Sequence, residues 1–138
     1  MEISDFTPNI ALRDAVYWYH KHPNDVEYQR NFYRSLRHGS LLVGTAVDAS
    51  LGADRCTQTA YDINLLVIES AKDGRSLIGF TDLNAFKHES HPGYLASPMT
   101  CLEVIQLVLA YGYDNLLLSL GKDYLAVPKS NLQTVLKQ

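Results

Sequence analysis

The stretch DINLLVIESAKDGRSLIGFT, residues 62–81, decides the fold. Two apolar runs, Asp62–Glu69 and Ser76–Thr81, flank the pair Asp73-Gly74. An Asp-Gly pair favours a tight hairpin, because both turn positions need positive φ and these residues tolerate it best. Leu65–Ile68 is continuously apolar rather than alternating, which is typical of a strand covered on both faces. The stretch therefore predicts an antiparallel hairpin in the centre of a sheet, with helices packed on that sheet.

A second hairpin and a very apolar helix follow. Asn115–Ser119 and Tyr124–Val127 flank a glycine turn, and Thr100 is a capping residue for a helix that reaches Tyr111 and closes at Gly112. This helix would leave only a thin wettable stripe of Glu103, Gln106 and Ala110. Exposing its large apolar side chains would cost several kcal/mol, at about 1.5–3 kcal/mol each. We expect the helix either to be buried across the sheet or to be covered by a second subunit.

Two helices are predicted before the sheet. Apolar residues recur at helical spacing from Asn9 to about Lys21, and Pro23 then breaks the pattern. A second helix is expected from a cap at Asn24 to about Arg37, ended by Gly39 in a left-handed conformation. The buried face of the second helix is predicted to be Val26, Phe32 or Tyr33, and Leu36.

The remaining segments complete the predicted order. Ser40–Val47 suits a first strand, whereas Asp48–Thr59 and Glu89–Pro98 are predicted to be loops. A short helix is expected over 82–87 and a last one from near Lys129. The whole chain, residues 1–138, is predicted to be one α+β domain. Its mixed or antiparallel sheet of about five strands is packed by two N-terminal helices, a central apolar helix and a short C-terminal helix.

Composition narrows the class of protein. The chain has 138 residues, 46% of them hydrophobic and 20% charged, which is typical of a single globular domain. Its formal net charge is -3, so the chain lacks the excess of basic residues that is typical of nucleic-acid-binding proteins. The acidic N-terminal residues and the absence of an apolar run of about 20 residues argue against export and membrane insertion. We expect a soluble cytoplasmic protein that binds neither nucleic acid nor membranes.

Candidate reactive groups are few. His88, Glu89 and His91 are the nearest approach to a metal site, but three neighbouring ligands are an incomplete set for structural zinc. Cys101, in the first turn of the central helix, would need a base such as His88 or His91 to act as a nucleophile. Cys56 and Cys101 form no CxxC pair, and free cysteines are usually inert core residues. We therefore expect no catalytic residue, no metal and no cofactor.

Aromatic residues are the better indication of function. Tyr17 and Trp18 fall beside the apolar stripe of the first helix, and Tyr28 beside that of the second. Tyrosine and tryptophan are enriched at binding hot spots, because they bury a large area while satisfying one polar group. These three residues are therefore candidates for partner binding. The alternative is that Trp18 fills the core between the helices and the sheet.

Several stretches of the sequence resemble the sequence pattern of a known family. Leu12, Ala15, Tyr19, Pro23, Phe32-Tyr33 and Leu36, leading into Ser40–Val43, are similar to the first half of the SseB N-terminal domain family. Phe80-Thr81-Asp82 resembles that family's aromatic-Thr-Ser strand end, and Pro98, Leu107 and Gly112–Leu116 resemble its helix, glycine and Asp-x-Leu strand start. Ser119–Lys122 departs from the family, which usually has Asn-Pro there. The resemblance covers roughly residues 9–136.

The resemblance implies a small regulatory or accessory α+β module and carries no catalytic residues. We therefore predict a non-catalytic protein-interaction module of the bacterial cytoplasm, whose partner is an unknown protein or a second copy of the chain. The alternative is a small-molecule-binding protein or minor enzyme. Its site would lie at the strand end Thr81-Asp82 and the His88–His91 loop, because sheet ends and their loops are common ligand sites.

Overall fold

The computed structural model describes residues 10–46, 54–58, 61–72, 74–89 and 93–137, and for 54–58, 61–64 and Glu89 it describes the backbone alone. Within these ranges the helices are α1 Ile10–Lys21, α2 Val26–His38, α3 Leu83–Glu89, α4 Cys101–Ala110 and α5 Lys129–Lys137. The strands are β1 Ser40–Ala46, β2 Asp54–Gln58, β3 Tyr61–Leu65, β4 Val67–Ser70, β5 Gly74–Phe80, β6 Tyr94–Thr100, β7 Asn115–Ser119 and β8 Tyr124–Pro128. The α+β class is confirmed.

Strand β1 organises the sheet. It pairs antiparallel with β6 along its whole length, from Ser40 opposite Thr100 to Ala46 opposite Tyr94. Its other edge is divided between β5, which pairs at Leu42 and Val43, and β3, which pairs at Thr45. Strand β5 continues to β7 and then to β8, so a mixed layer of five strands runs β6-β1-β5-β7-β8. Strand β3 pairs with β1, and the next strand, β4, pairs with β5. Strand β2 pairs with β3.

Both predicted hairpins form. Strands β4 and β5 pair antiparallel from Val67 opposite Leu77 to Ser70 opposite Gly74, and β7 pairs antiparallel with β8. Gly74 and Gly121 take positive φ values of 76° and 101°, which glycine adopts without the steric cost of a Cβ. Between the hairpins, β5 and β7 lie parallel, from Ser76 opposite Asn115 to Phe80 opposite Ser119. A parallel pair needs a crossover connection, and the segment containing β6 and α4 provides it.

The sheet buries apolar side chains on both faces, which explains why its central strands are apolar without alternation. Leu41, Leu77 and Leu116 contribute to a large core shared with α1, α2, α4 and α5. Leu42, Ile78 and Phe80 point to the opposite face and form a smaller core with Ala85 of α3. Neighbouring strand residues alternate between the two cores, as the period of two requires.

Helix α4 is buried within the same chain. Five of its ten residues are buried, and the helix packs against α2, α5 and the sheet. The residues predicted to face water, Glu103, Gln106 and Ala110, are exposed. Thr100 caps the helix through a reciprocal capping box with Glu103. The first of the two expected arrangements is therefore correct, and burial of this helix requires no second subunit.

Two predicted loops contain strands. Residues 54–58 of the expected loop Asp48–Thr59 form β2, and β6 covers the second half of the expected loop Glu89–Pro98. Strand β6 was not predicted because Pro98 lies within it. Proline is tolerated in a strand only where its missing N–H is not needed, as on an edge strand. Residues 47–53, 59–60 and 90–92 lie outside the described residues.

The predicted strand Asp62–Glu69 is divided at Leu66. There the backbone N–H of Leu66 donates to the carbonyl of Gly44 at 2.8 Å. A Cβ on Gly44 would lie 2.8 Å from the Leu66 Cβ, closer than such atoms approach one another. Glycine on β1 therefore permits the close approach that lets one chain segment pair first with β1 and then with β5.

Three details of α2 differ from the prediction. Asp25, rather than Asn24, caps the helix, because its Oδ1 accepts from the backbone N–H groups of Glu27 and Tyr28. Phe32 and Leu36 are fully buried as predicted, whereas Val26 is 61% exposed. At about 100° per residue, Val26 lies about 80–120° around the helix from these two residues and so falls off the buried stripe. Gly39 follows the helix at φ -95° and ψ -177°, an extended conformation, because the chain enters β1 at once.

Replacing Gly74 tests the junction between β5 and β7. A Cβ at Gly74 would collide with Oδ2 of Asp114, the atom that accepts from the backbone N–H of Arg75 at 3.0 Å. Gly112→Ala is the matched control, because Gly112 also has positive φ but open space around it. We expect Gly74→Ala to lower the free energy of unfolding by about 1 kcal/mol more than the control, the net value of one hydrogen bond. Equal urea midpoints for the two variants would contradict this account.

Candidate functional site

The candidate site lies where the parallel strands β5 and β7 end. Because the two strands run the same way, their carboxyl ends meet at one edge of the sheet. The backbone N–H of Thr81 donates to the carbonyl of Ser119 at 3.2 Å, and the Thr81 hydroxyl donates to the same oxygen at 3.3 Å. Ser119 Oγ in turn accepts from the N–H of Gly121 at 3.1 Å. These bonds hold the two strand ends and the turn after β7 together.

Asp82 is the buried carboxylate at this edge. Its Oδ1 accepts from the N–H of Ala85 at 2.7 Å, which caps the first turn of α3. Its Oδ2 lies 3.4 Å from the Arg13 guanidinium on α1, and the side chains are 9% and 57% exposed, respectively. Both carboxylate oxygens therefore have partners inside the fold. Asp82 links α1 to α3.

An open groove with a volume of about 700 Å³ lies at this edge, between α1, α3 and the turn that joins β7 to β8. Helix α1 contributes Ile10, Arg13, Asp14, Tyr17 and Trp18; α3 and its cap contribute Asp82, Asn84, Ala85 and His88; the turn contributes Leu120, Gly121, Lys122 and Asp123. Acidic and basic side chains are mixed along it, with the aromatic residues of α1 at one side. We call this feature the groove.

A cluster of aromatic rings adjoins the groove. Trp18 is 46% exposed, and its ring stacks on Tyr28 with a centroid distance of 5.8 Å and an interplanar angle of 13°. His22 stacks on both, at 6.0 Å from Trp18 and 5.2 Å from Tyr28. Tyr17, 41% exposed, meets Trp18 edge-on at 5.1 Å, and Lys21 Nζ lies 5.6 Å from the Tyr17 ring centroid. Tyr17, Trp18, His22 and Tyr28 are called the aromatic surface below.

The two sets of predicted site residues meet at this place. Tyr17 and Trp18, expected to bind a partner, line the same groove as Asp82 and His88, expected to bind a ligand. Tyr28 reaches the site through its stack on Trp18. Thr81 is buried and does not line the groove, and His91 lies outside the described residues. Trp18 does not fill the core, since almost half of it is exposed.

Some groove residues were missed at the sequence level. Arg13 and Asp14 appeared to be ordinary solvated positions, because they lie off the apolar stripe of α1. The available signal was periodicity: Ile10, Asp14 and Tyr17 are spaced as one face of a helix, away from buried Leu12 and Val16. The partner of that second face depends on the tertiary fold, which places α3 and the β7–β8 turn beside it.

The candidate nucleophile Cys101 and the candidate base His88 lie in different environments, one in the core and the other at the surface. Cys101 is fully buried in the large core, and burial raises the pKa of its thiol to about 12. A thiol with this pKa is protonated near neutral pH and is a poor nucleophile. His88 is exposed on α3, whereas the side chain of Glu89 and all of His91 lie outside the described residues. Within the part of the chain that the structure describes, no three His, Cys, Asp or Glu side chains form a metal-binding group.

Alkylation tests the burial of Cys101. We expect iodoacetamide at pH 7.5 to modify this residue at least about 100-fold more slowly than free cysteine, since the thiolate is scarce and enclosed. The measurement uses a Cys56→Ser variant, so that mass spectrometry reports on Cys101 alone. Unfolding in urea should restore the ordinary rate. A native rate equal to that of free cysteine would contradict the structure.

Substitutions at Asp82 separate its cap from its ion pair. Asp82→Ala removes both and should lower the free energy of unfolding by about 1–2 kcal/mol. Asp82→Asn keeps an oxygen that can cap α3 and should cost less, and Arg13→Gln, at an exposed partner, should cost less than about 1 kcal/mol. Urea unfolding followed by circular dichroism gives all three values. If Arg13→Gln lowered the free energy of unfolding as much as Asp82→Ala does, the ion pair rather than the helix cap would be the main contribution of Asp82 to stability, which would contradict this account.

Comparison with known proteins places the chain in a family. Within the described ranges, none of the helices could span a bilayer. No curated protein and no solved structure matches the chain significantly. One family model does match, the SseB protein N-terminal domain, over residues 12–132. That range includes both hairpins, the first four of the nine residues of α5 and most of the groove, so the chain belongs to the SseB N-terminal domain family.

Proposed function

We propose that this chain is a non-catalytic protein-interaction module, acting as a regulatory or accessory component, and that the aromatic surface is its docking site. The observation that carries the proposal is the state of Trp18: it is 46% exposed and yet held in a stack with His22 and Tyr28. Exposed aromatic side chains fixed before binding lose little conformational entropy when a partner arrives. They are also the residues that most often dominate binding energy.

The groove extends the proposed docking site. Ile10 is 71% exposed and Tyr17 41% exposed at its margin, so apolar area remains for a partner to cover. The mixed charges of Arg13, Asp14 and Lys122 around this area resemble the polar rim that surrounds the apolar centre of an interface. A partner residue that inserts beside Trp18 would therefore meet apolar contacts first and polar groups at the edge.

A small-molecule site in the same groove is the second candidate. The volume of about 700 Å³ falls within the range of ligand pockets and supports this alternative. The groove is open, however, and Asp82, its most buried carboxylate, already bonds to Arg13 and Ala85. The protonated Cys101 belongs to the core rather than to the groove. These observations favour recognition of a protein surface over binding or conversion of a small molecule.

The proposal also includes a cellular location and a class of partner. We propose a cytoplasmic location, since Cys101 is a free thiol buried in the core and disulfides are typical of oxidising compartments. The partner is proposed to be another protein, with a second copy of the chain as the form to be tested first. Nucleic acid is not expected as a partner, because the formal net charge is -3.

Trp18 offers a direct test, because it is the only tryptophan in the chain. The tagged chain, its Trp18→Ala variant and its Tyr111→Ala variant are used to capture proteins from the source cells. Tyr111 is 37% exposed and follows α4, so it serves as a matched aromatic control. We expect a protein that binds the wild type and Tyr111→Ala but binds Trp18→Ala at least about tenfold more weakly, the loss typical of a hot spot.

The captured protein is then purified and added to the wild-type chain. Covering Trp18 should shift its fluorescence emission to shorter wavelength and protect it from iodide quenching. Sedimentation of the chain alone shows whether it associates with a second copy of itself, and Trp18 fluorescence measured over the same concentrations shows whether that copy covers Trp18. A strict monomer with no partner sensitive to Trp18→Ala would contradict the proposal. A fluorescence change caused by small metabolites alone would favour the second candidate.

A further inference from the structure

We infer that the outer side of α2 is a second docking site, which binds an acidic segment of a partner protein. Four basic residues lie there, Arg30, Arg34, Arg37 and His38, and we call them the basic face. They line a shallow cleft of about 490 Å³ with Val26, Gln29 and Tyr33. This site is separate from the groove, with which it shares no lining residue.

Helical geometry puts the basic face away from the core. At about 100° per residue, Arg30, Arg34 and Arg37 fall within one narrow sector of α2. The fully buried residues Phe32 and Leu36 point to the opposite side. Tyr28, which belongs to the aromatic surface, is two positions from Arg30 and therefore about 200° around the helix. The two proposed docking sites use different sides of the same helix.

The charge of α2 is unlike that of the whole chain. The chain has a formal net charge of -3, whereas α2 contains three arginines and one glutamate, Glu27. Arginines at these spacings repel one another, at a cost of roughly 0.2–0.5 kcal/mol for each neighbouring pair. An acidic partner would remove this repulsion. Charge complementarity is thus an argument for an anionic occupant of this face.

The guanidinium groups retain free donors. Arg30 lies 3.3 Å from Glu27, and both side chains are exposed to water. Arg37 donates to the carbonyl of Val135 near the end of α5 at 2.7 Å, which fixes its position but uses only part of its five N–H donors. Arg34 has no hydrogen-bond or ion-pair partner for its guanidinium among the described residues. The face therefore combines one anchored arginine with two that can turn toward a ligand.

Spacing favours a peptide over a single phosphate. Arg30, Arg34 and His38 follow one another at four-residue intervals, about 6 Å along the helix, and the set spans about 12 Å. Acidic side chains at alternate positions of an extended segment repeat about every 6.6–6.8 Å. One phosphate cannot reach all the basic groups at once. A long nucleic acid would also meet the excess negative charge on the rest of the chain, whereas a short acidic segment need contact only this face.

The test measures binding of a fluorescent peptide, (Glu-Ala)₄, to the full chain by anisotropy at 50 mM salt. We expect saturable binding that weakens with salt, with no binding of the matched (Gln-Ala)₄ peptide. Arg34→Gln should weaken binding roughly threefold to tenfold, the loss of one charge-assisted hydrogen bond. Lys72→Gln, which removes one positive charge from the β4–β5 turn, is the control and should change the affinity by less than about twofold.

Each other outcome would overturn the inference. If Lys72→Gln weakened peptide binding as much as Arg34→Gln, the binding would reflect general charge attraction rather than a site on α2. Tighter binding of inorganic phosphate or of an oligonucleotide than of the peptide would indicate a different ligand. Absence of peptide binding would remove the site. Trp18→Ala should leave peptide binding unchanged, so failure here and failure of the proposed function can be told apart. Circular dichroism confirms that Arg34→Gln remains folded.

Discussion

The parallel pairing of β5 with β7 is the constraint on which the rest of the structure depends. It brings two strand ends to one edge of the sheet, where the carbonyl of Ser119 accepts two hydrogen bonds from Thr81. The chain then continues from these ends into α3 and into the β7–β8 turn, and those two segments form two sides of the groove. An antiparallel pairing would have sent them to opposite edges of the sheet.

The same pairing decides which helix is buried. A parallel pair needs a crossover, and α4 lies on that crossover, packed against the sheet and against α2 and α5. Its apolar composition is thus explained inside one chain. On α1, by contrast, Ile10, Tyr17 and Trp18 remain exposed while Leu12 and Val16 enter the core.

The sequence was most informative where local chemistry decides the structure. Gly74 and Gly121 set the two hairpins, and Thr100 with Glu103 set the start of α4, because these are effects of adjacent residues. Long-range effects were missed. The break at Leu66 depends on Gly44, more than twenty residues away, and β6 depends on pairing with β1. No local pattern encodes such pairings.

The candidate site shows the same division. Aromatic composition pointed to Tyr17, Trp18 and Tyr28, and the strand end pointed to Asp82, but their meeting in one place follows from the packing of α1 beside α3. Asp82 looked available for chemistry in the sequence, whereas in the fold it caps a helix and binds Arg13. A side chain's role is thus set by partners that only the tertiary structure supplies.

Hydrogen exchange with the captured partner protein tests the central claim most directly, because it reports on every backbone amide without a substitution. The account predicts that the partner slows exchange in α1, at residues 82–88 and at the β7–β8 turn, while the amides of β1 and α4 are unchanged. Protection confined to other surfaces, with α1 exchanging as in the free chain, would contradict it.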